Sequence, residues 1–313
     1  MEPEKKAGCL LCGGILTVVL SGVTDKRFGI PGTYDVMRCS ACALEQTYPV
    51  PPPSELKTLY ESHYNFGGER DTFYTRIREW FHFSFIYRLW LVIDGDISFH
   101  RPKGAGRLLD IGCNEGRGLK IYSRNGFNAE GLELNETAAA VAREKGFTVY
   151  TYLLQEFQPS NPYDVVVLSN VLEHSLNPKE MLADVRRILK DDGQVWISCP
   201  NNHSWQRNVF GRDWANWHVP FHIVHFSAAA VKSILLESGF SKVEIGQITP
   251  ALWVTANFIT TVFARPNRVT KELRNAFLVM SLMLFVRGLF FPVLWLGNLL
   301  GRGDCLVVVA RRA

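Results

Sequence analysis

Four cysteines near the start of the chain, Cys9, Cys12, Cys39 and Cys42, stand as two C-x2-C pairs separated by 26 residues. Paired thiolates at that spacing supply the soft donors of a tetrahedral Zn2+ site, and four of them leave no coordination position for water or substrate. The expected metal role is therefore structural. A second group lies in "LLDIGCNEGRGLK" at 108–120, where an apolar run ends in Asp110 and glycines follow at 112, 116 and 118. A strand running into such a turn and then a helix offers backbone N–H groups and a positive helix terminus, and glycine lets a ligand come close. The dinucleotide fingerprint G-x-G-x-x-G fails here, because from Gly112 the residues read G-C-N-E-G-R. The third group is histidine: His174, and the cluster "WHVPFHIVHFS" containing His218, His222 and His225. Imidazole suits proton transfer at neutral pH, and a structural hydrogen-bonding role is an equal alternative for each ring.

The elements that must position these groups follow from the apolar pattern. From 107 to 246, short apolar runs ("RLLDIG", "NAEGLEL", "FTVYT", "YDVVVLS", "GQVWISCP", "KVEIGQ") alternate with helical patterns, and "DCLVVVARR" ends the chain as a further strand. That alternation predicts βαβ units on a parallel sheet. Upstream, the apolar run at 15–20 is too short for a signal-peptide core and is expected to be a strand. A proline run in "PVPPPSELKTLY" separates the cysteine region from a helix capped by Ser54. Residues 69–97, with Arg76, Arg78 and Arg88 among many aromatics, are expected to be helical, packed on the next domain or lying on a membrane surface.

At 313 residues and 47% apolar, the chain can bury a large core, and its charge of +4 is spread rather than gathered into the basic stripe of a nucleic-acid binder. Seven cysteines arranged this way favour metal binding in the reducing cytoplasm over a disulfide framework.

The D-x-G-x-x-x-G turn of Asp110, Gly112 and Gly116 resembles that of class I S-adenosylmethionine-dependent methyltransferases. The resemblance runs in order over 107–246 and the last strand. It implies an α/β, Rossmann-like sheet with helices on both faces and S-adenosylmethionine as cofactor. It also implies cofactor contacts from Asp110, Gly112, Cys113, Asn114 and Gly116 in the turn. Asn114 stands where the family often has glycine, a substitution that positive φ tolerates. Cys113 is implied to contribute backbone rather than thiolate. Glu133, followed by Leu134, would end the second strand and accept the ribose hydroxyls; Leu154 and Gln155 would border the adenine; Asn170 closes the fourth-strand motif "YDVVVLSNVLEHSLNP". In "ILKDDGQVWISCPN" the family's Pro and first Gly are replaced by Asp191 and Asp192. The phrase P-x-H-x-x-H-F-S, holding His222 and His225, matches the acceptor side of the family's cleft. With His174 these are the candidate bases, and Tyr60 and Tyr64 are candidates to line the methyl site. The cysteine region is similar to the N-terminal zinc-ribbon-like part of bacterial methyltransferases that act on sugars and other small molecules.

The expected organisation is a zinc-ribbon-like module over 1–50, a linker and helical segment over 51–106, and the cofactor-binding domain over 107–250. An apolar helical insertion follows over 251–303, then the last strand over 304–313. The stretch 277–300 passes a hydropathy test for a membrane span. Its flanking strands are neighbours in this fold, however, so both ends must lie on one side. The expectation is a hairpin broken near Arg287 and Pro292 that packs on the catalytic domain or, the favoured alternative, dips into one leaflet at the inner membrane face, with Arg287 reaching headgroups and Trp295 at the interface. The expected function is methylation, chiefly O-methylation, of a small-molecule or glycan acceptor, lipid-linked ones included, with no nucleic-acid partner. The alternatives are a lipid or quinone methyltransferase and an inactive zinc-ribbon interaction protein.

Overall fold

The computed structural model describes residues 8–63 and 79–313. Tyr64, Arg76, Arg78 and the first part of the helix expected over 69–97 lie outside them. The described remainder of that segment is not one helix. Residues 79–82 are helical, and the chain then restarts at Ser84, whose side chain accepts from the Tyr87 amide and caps α2 (Phe85–Asp94). Ahead of it, α1 spans Pro53–His63 after the proline run.

The main sheet has seven strands in the order β10-β11-β8-β7-β4-β5-β6, formed by β4 (Arg107–Ile111), β5 (Asn128–Leu132), β6 (Val149–Tyr150), β7 (Tyr163–Ser169), β8 (Leu189–Pro200), β10 (Phe240–Ile248) and β11 (Cys305–Arg312). All neighbouring pairs from β6 to β8 are parallel, whereas β11 lies antiparallel between β8 and β10. Strands buried on both faces read as continuous apolar runs, and alternation assigns each side chain to one layer. Leu108, Val165, Val167 and Trp196 pack against Leu119 and Tyr122 of α3 (Arg117–Arg124) and Ala139 and Ala142 of α4 (Glu136–Glu144). On the other face, Leu109, Val166, Val195 and Ile197 pack against Leu182 and Val185 of α5 (Pro178–Ile188) and Val231 and Ile234 of α7 (Ala228–Glu237). Asn135, Asn177 and Ser227 each accept from a first-turn amide of the helix they precede, fixing where these helices start.

The cysteine region forms β1 (Leu16–Val23), β2 (Tyr34–Cys39) and β3 (Glu45–Tyr48), and its sheet gains a fourth strand, β9 (Val224–His225), from beyond β8. The expected boundary at residue 50 therefore separates neither a sheet nor a core: Cys9, Cys39 and Leu44 pack in the same cluster as the main sheet. Between β8 and β9 runs a short helix, α6 (Trp205–Phe210), and a loop carrying His218 and His222.

The apolar insertion departs from expectation in two ways. The chain does not break at Arg287 or Pro292; the hairpin is made by α8 (Ala251–Phe263) and a continuous α9 (Ala276–Leu299), which has Pro292 inside it. Arg287 does not reach outward. It is 7% exposed, and its guanidinium pairs with Asp94 at the end of α2 and donates to the Thr249 carbonyl at 2.8 Å. The Asp94 carboxylate also accepts from the Ala251 amide at 2.9 Å, so one buried ion pair ties α2, α8 and α9 together. An apolar environment makes an unpaired guanidinium expensive, which is why Arg287 turns inward once a carboxylate is within reach. Among the described residues α9 is the one helix long and apolar enough to cross a bilayer, judged by length and composition. Its two flanking strands are paired directly, Ile248 with Cys305, so the hairpin starts and ends at one point of the sheet.

Candidate active site

In an open α/β sheet the crevice lies where successive strands leave in opposite directions, here between the C-terminal ends of β4 and β7. The glycine turn and the loop after β7 meet there. A Cβ on Gly112 would lie 3.1 Å from Val171 Cγ2, one on Gly116 would lie 2.9 Å from Ala142 Cβ, and one on Gly118 would lie 2.9 Å from Asp110 Oδ2. Gly112 and Gly116 also have φ of +74° and +75°, in the left-handed region that a side chain disfavours. Asn114 takes the same region at φ 51°, and its side-chain oxygen accepts from the Glu115 amide at 2.9 Å. Glycine at 114 is thus dispensable to the turn.

Glu133 closes the turn from the β5 side. One carboxylate oxygen accepts from the Asn114 amide at 2.9 Å and the other from the Asn135 amide at 2.8 Å. Leu134 beside it is 63% exposed, and Leu154 and Gln155 lie in the turn after β6, their carbonyls held by Arg187. Asp110 is buried, and burial together with the charge of Glu133 pushes its carboxyl up to about 8. Cys113 is 4% exposed and faces β5, where a Cβ on Gly131 would collide with its sulfur at 2.3 Å. Its thiol is raised by burial and by the two acids, so it packs rather than reacts. Asn170 ends β7 at φ 55° with its amide on the Ser198 carbonyl. The turn, Glu133 and the loop after β7 thus lie together at this end of the sheet.

Beyond Asn170 the chain turns through Leu172–His174 in one 3-10 turn. A Glu173 oxygen and one ring nitrogen each of His174 and His222 lie within 4.8 Å of one another. His222 reaches this point because its loop is clamped. The Thr47 hydroxyl donates to the His222 carbonyl at 2.6 Å, the Thr47 amide to the Ile223 carbonyl at 2.9 Å, and the Ile223 amide to the Glu173 carbonyl at 2.9 Å. The cysteine module thus positions a candidate base. Asp304 acts from further out: its buried carboxylate takes hydrogen bonds from Ser204, Trp214 and Asn216, and the Asn216 carbonyl accepts from His222 Nδ1 at 2.7 Å. His174 Nδ1 lies 3.0 Å from the Phe221 carbonyl and 2.8 Å from the Tyr60 hydroxyl.

Burial holds both rings neutral, His174 down at about 4 and His222 well below the usual range, each further disfavoured by other positive charge nearby. Burial drives Glu173 the other way, up to about 8.

Of the predicted histidines, His174 and His222 meet, with ring centroids 4.7 Å apart. His225 lies on the seam with the cysteine module, its Nε2 3.0 Å from the Thr47 hydroxyl and its ring against Trp217. The four cysteine sulfurs lie within 4.8 Å of one another, with Cys9–Cys42 and Cys12–Cys39 at 3.5 Å. Bonds of about 2.3 Å to a tetrahedral Zn2+ place sulfurs roughly 3.8 Å apart, so the donor set fits that ion. Glu173 is the group that sequence reasoning passed over. Its signal was an acid directly before His174 in an otherwise apolar "VLEH".

Residues 88–245, half of the chain, match the family described as a methyltransferase domain. The chain belongs to that family. It is 29% identical over 160 residues to a ubiquinone biosynthesis O-methyltransferase of Maricaulis maris, covering 46% of this chain and 63% of that one. A protein of the same name from Cronobacter sakazakii is 29% identical over 124 residues, covering 36% and 51%. The match therefore spans between half and two thirds of the length of these relatives. The 1,6-didemethyltoxoflavin-N1-methyltransferase of Burkholderia thailandensis, solved with S-adenosylhomocysteine, aligns over 91% of this chain and 97% of its own at 14% identity and a TM-score of 0.47.

Proposed function

We propose that this methyltransferase-family chain transfers the S-adenosylmethionine methyl group to a hydroxyl of a small-molecule or glycan acceptor, with a structural Zn2+ on Cys9, Cys12, Cys39 and Cys42. The observation that carries the reading is the junction at Gly112 and Val171, which sets a cofactor-type turn beside a pair of neutral histidines, His222 buried and His174 half-buried. S-adenosylmethionine, when bound, supplies an electrophilic methyl on a sulfonium. Displacement there needs alignment, exclusion of water and removal of the hydroxyl proton. Asp110 and Glu133 hold and orient the cofactor, and His222 or His174 accepts the proton at Nε2, since Nδ1 of each faces a backbone carbonyl.

Titration calorimetry tests the cofactor assignment. Asp110→Ala and Glu133→Ala should each weaken S-adenosylhomocysteine binding about ten- to a hundred-fold, the loss of one partner from a buried polar ligand. Wild-type affinity in both variants sinks the assignment, and no binding by the wild type favours an inactive interaction protein.

A second reading, an amphiphilic acceptor such as a lipid or quinone met at a membrane, rests on one surface. Phe285 and Phe277, with Leu284, Leu289, Leu296 and Leu299, leave α9 broadly apolar towards the outside. Phe85, Leu89 and Val92 of α2 are likewise exposed. The connection between α8 and α9 adds exposed Arg265, Arg268, Lys271 and Arg274, which suit anionic headgroups. Trp295 is exposed and would sit at such an interface, whereas Arg287 has no part in it. The expected result is co-sedimentation of the wild type with phosphatidylglycerol-containing vesicles, lost in a Leu284→Glu/Leu289→Glu variant that keeps its melting temperature. Wild-type protein that stays in the supernatant removes the membrane from the reading.

A further inference from the structure

Glu173 is 1% exposed, and neither of its carboxylate oxygens has a hydrogen-bond partner among the described residues. Buried acids left this way are rare, because nothing replaces the water they lose. The side chain facing it is His222. His222 gives its Nδ1 proton to the Asn216 carbonyl, so the Nε2 lone pair faces Glu173 Oε1 across 4.0 Å. That gap is too long for a shared proton, and two metal–ligand bonds of about 2.0–2.2 Å span it after a small contraction. His174 Nδ1 lies 3.0 Å from the Phe221 carbonyl, which only accepts, and 2.8 Å from the Tyr60 hydroxyl, and the tautomer with its proton on Nδ1 satisfies that carbonyl and leaves Nε2 as the basic nitrogen. A backbone carbonyl that fixes the tautomer of each ring is the usual support for metal-ligating histidines.

We propose that Glu173, His174 and His222 bind one divalent transition-metal cation, separate from the four-cysteine site, and present it to the acceptor oxygen. Two imidazoles and one carboxylate suit Zn2+, Mn2+ or Fe2+, and three protein ligands leave coordination positions open. The role rests on the methyltransferase reading; the metal site does not. With both Nε2 atoms on the cation neither imidazole serves as the base, and a hydroxyl bound to the cation instead loses its proton to solvent water more readily. Its oxygen then forms the O–CH3 bond as the S–CH3 bond breaks, giving the methyl ether and S-adenosylhomocysteine. The site also accounts for why the cysteine module clamps the His222 loop through Thr47: it fixes one ligand.

Metal analysis and Co2+ substitution of the full chain test this, with S-adenosylhomocysteine calorimetry on the same samples. The wild type should hold two equivalents of Zn2+, and Glu173→Gln and His222→Gln one each, with the thiolate-to-cobalt charge-transfer band unchanged in both. If Glu173→Gln does not fold, the wild-type stoichiometry and His222→Gln decide. One equivalent in the wild type, all of it thiolate-bound, overturns the site, and so does a second equivalent that survives both substitutions. S-adenosylhomocysteine binding with a single equivalent refutes the metal site and leaves the methyltransferase reading standing. Two equivalents without such binding do the reverse.

Discussion

Replacing Cys39 by Ser is expected to release the Zn2+ proposed for the cysteine module and to abolish methyl transfer, while the seven-stranded sheet stays folded. The four thiolates are the anchor of β1 to β3: the Cys39 amide donates to the Leu44 carbonyl at 2.8 Å, and β3 follows directly. Zinc binding to such knuckles contributes on the order of 10 kcal/mol or more to their folding, so losing one ligand unfolds the module rather than loosening it. The effect reaches the proposed chemistry because β3 carries Thr47, which holds the carbonyls of His222 and Ile223, and pairs with β9. Metal analysis, far-ultraviolet circular dichroism and S-adenosylhomocysteine calorimetry separate the parts. The expected outcome is no thiolate-bound metal, a largely retained spectrum and retained cofactor binding. Full methyl transfer by zinc-free Cys39→Ser protein contradicts the coupling.

Arg287→Met should destabilise the protein by about 3–5 kcal/mol, the cost of leaving Asp94 buried without its partner. Asp94 is already pushed up by burial and is brought back by the Arg287 guanidinium, so its removal leaves the carboxylate to take up a proton. The companion Arg287→Met/Asp94→Leu variant should recover most of the loss, since two apolar side chains of similar volume replace the pair. Chemical denaturation checks both. A single variant within about 0.5 kcal/mol of the wild type, the range of ordinary surface substitutions, shows that Arg287 is not the pin of the hairpin.

The apolar runs and glycines were enough to predict the main sheet, because a parallel strand buried on both faces has to be a short apolar segment, and a turn that brings backbone to a ligand has to avoid side chains at 112 and 116. The cysteine spacing was equally legible: two C-x2-C pairs encode their donor set locally, and the sulfurs do gather. Three things depended on contacts between residues far apart in the chain. Composition marked Arg287 as a headgroup-seeking cation, but an acid 193 residues earlier turned it inward. The cysteine region looked self-contained until β9 completed its sheet, because edge-strand pairing leaves no mark in the sequence of either partner. Of three candidate histidines, the fold brings two to Glu173 and seats the third against Thr47, a choice made by backbone hydrogen bonds. Local pattern determines which elements form; which side chains end up sharing a buried site is decided by how those elements pack, since the cost of an unpartnered buried charge is settled only by the neighbours the tertiary structure supplies.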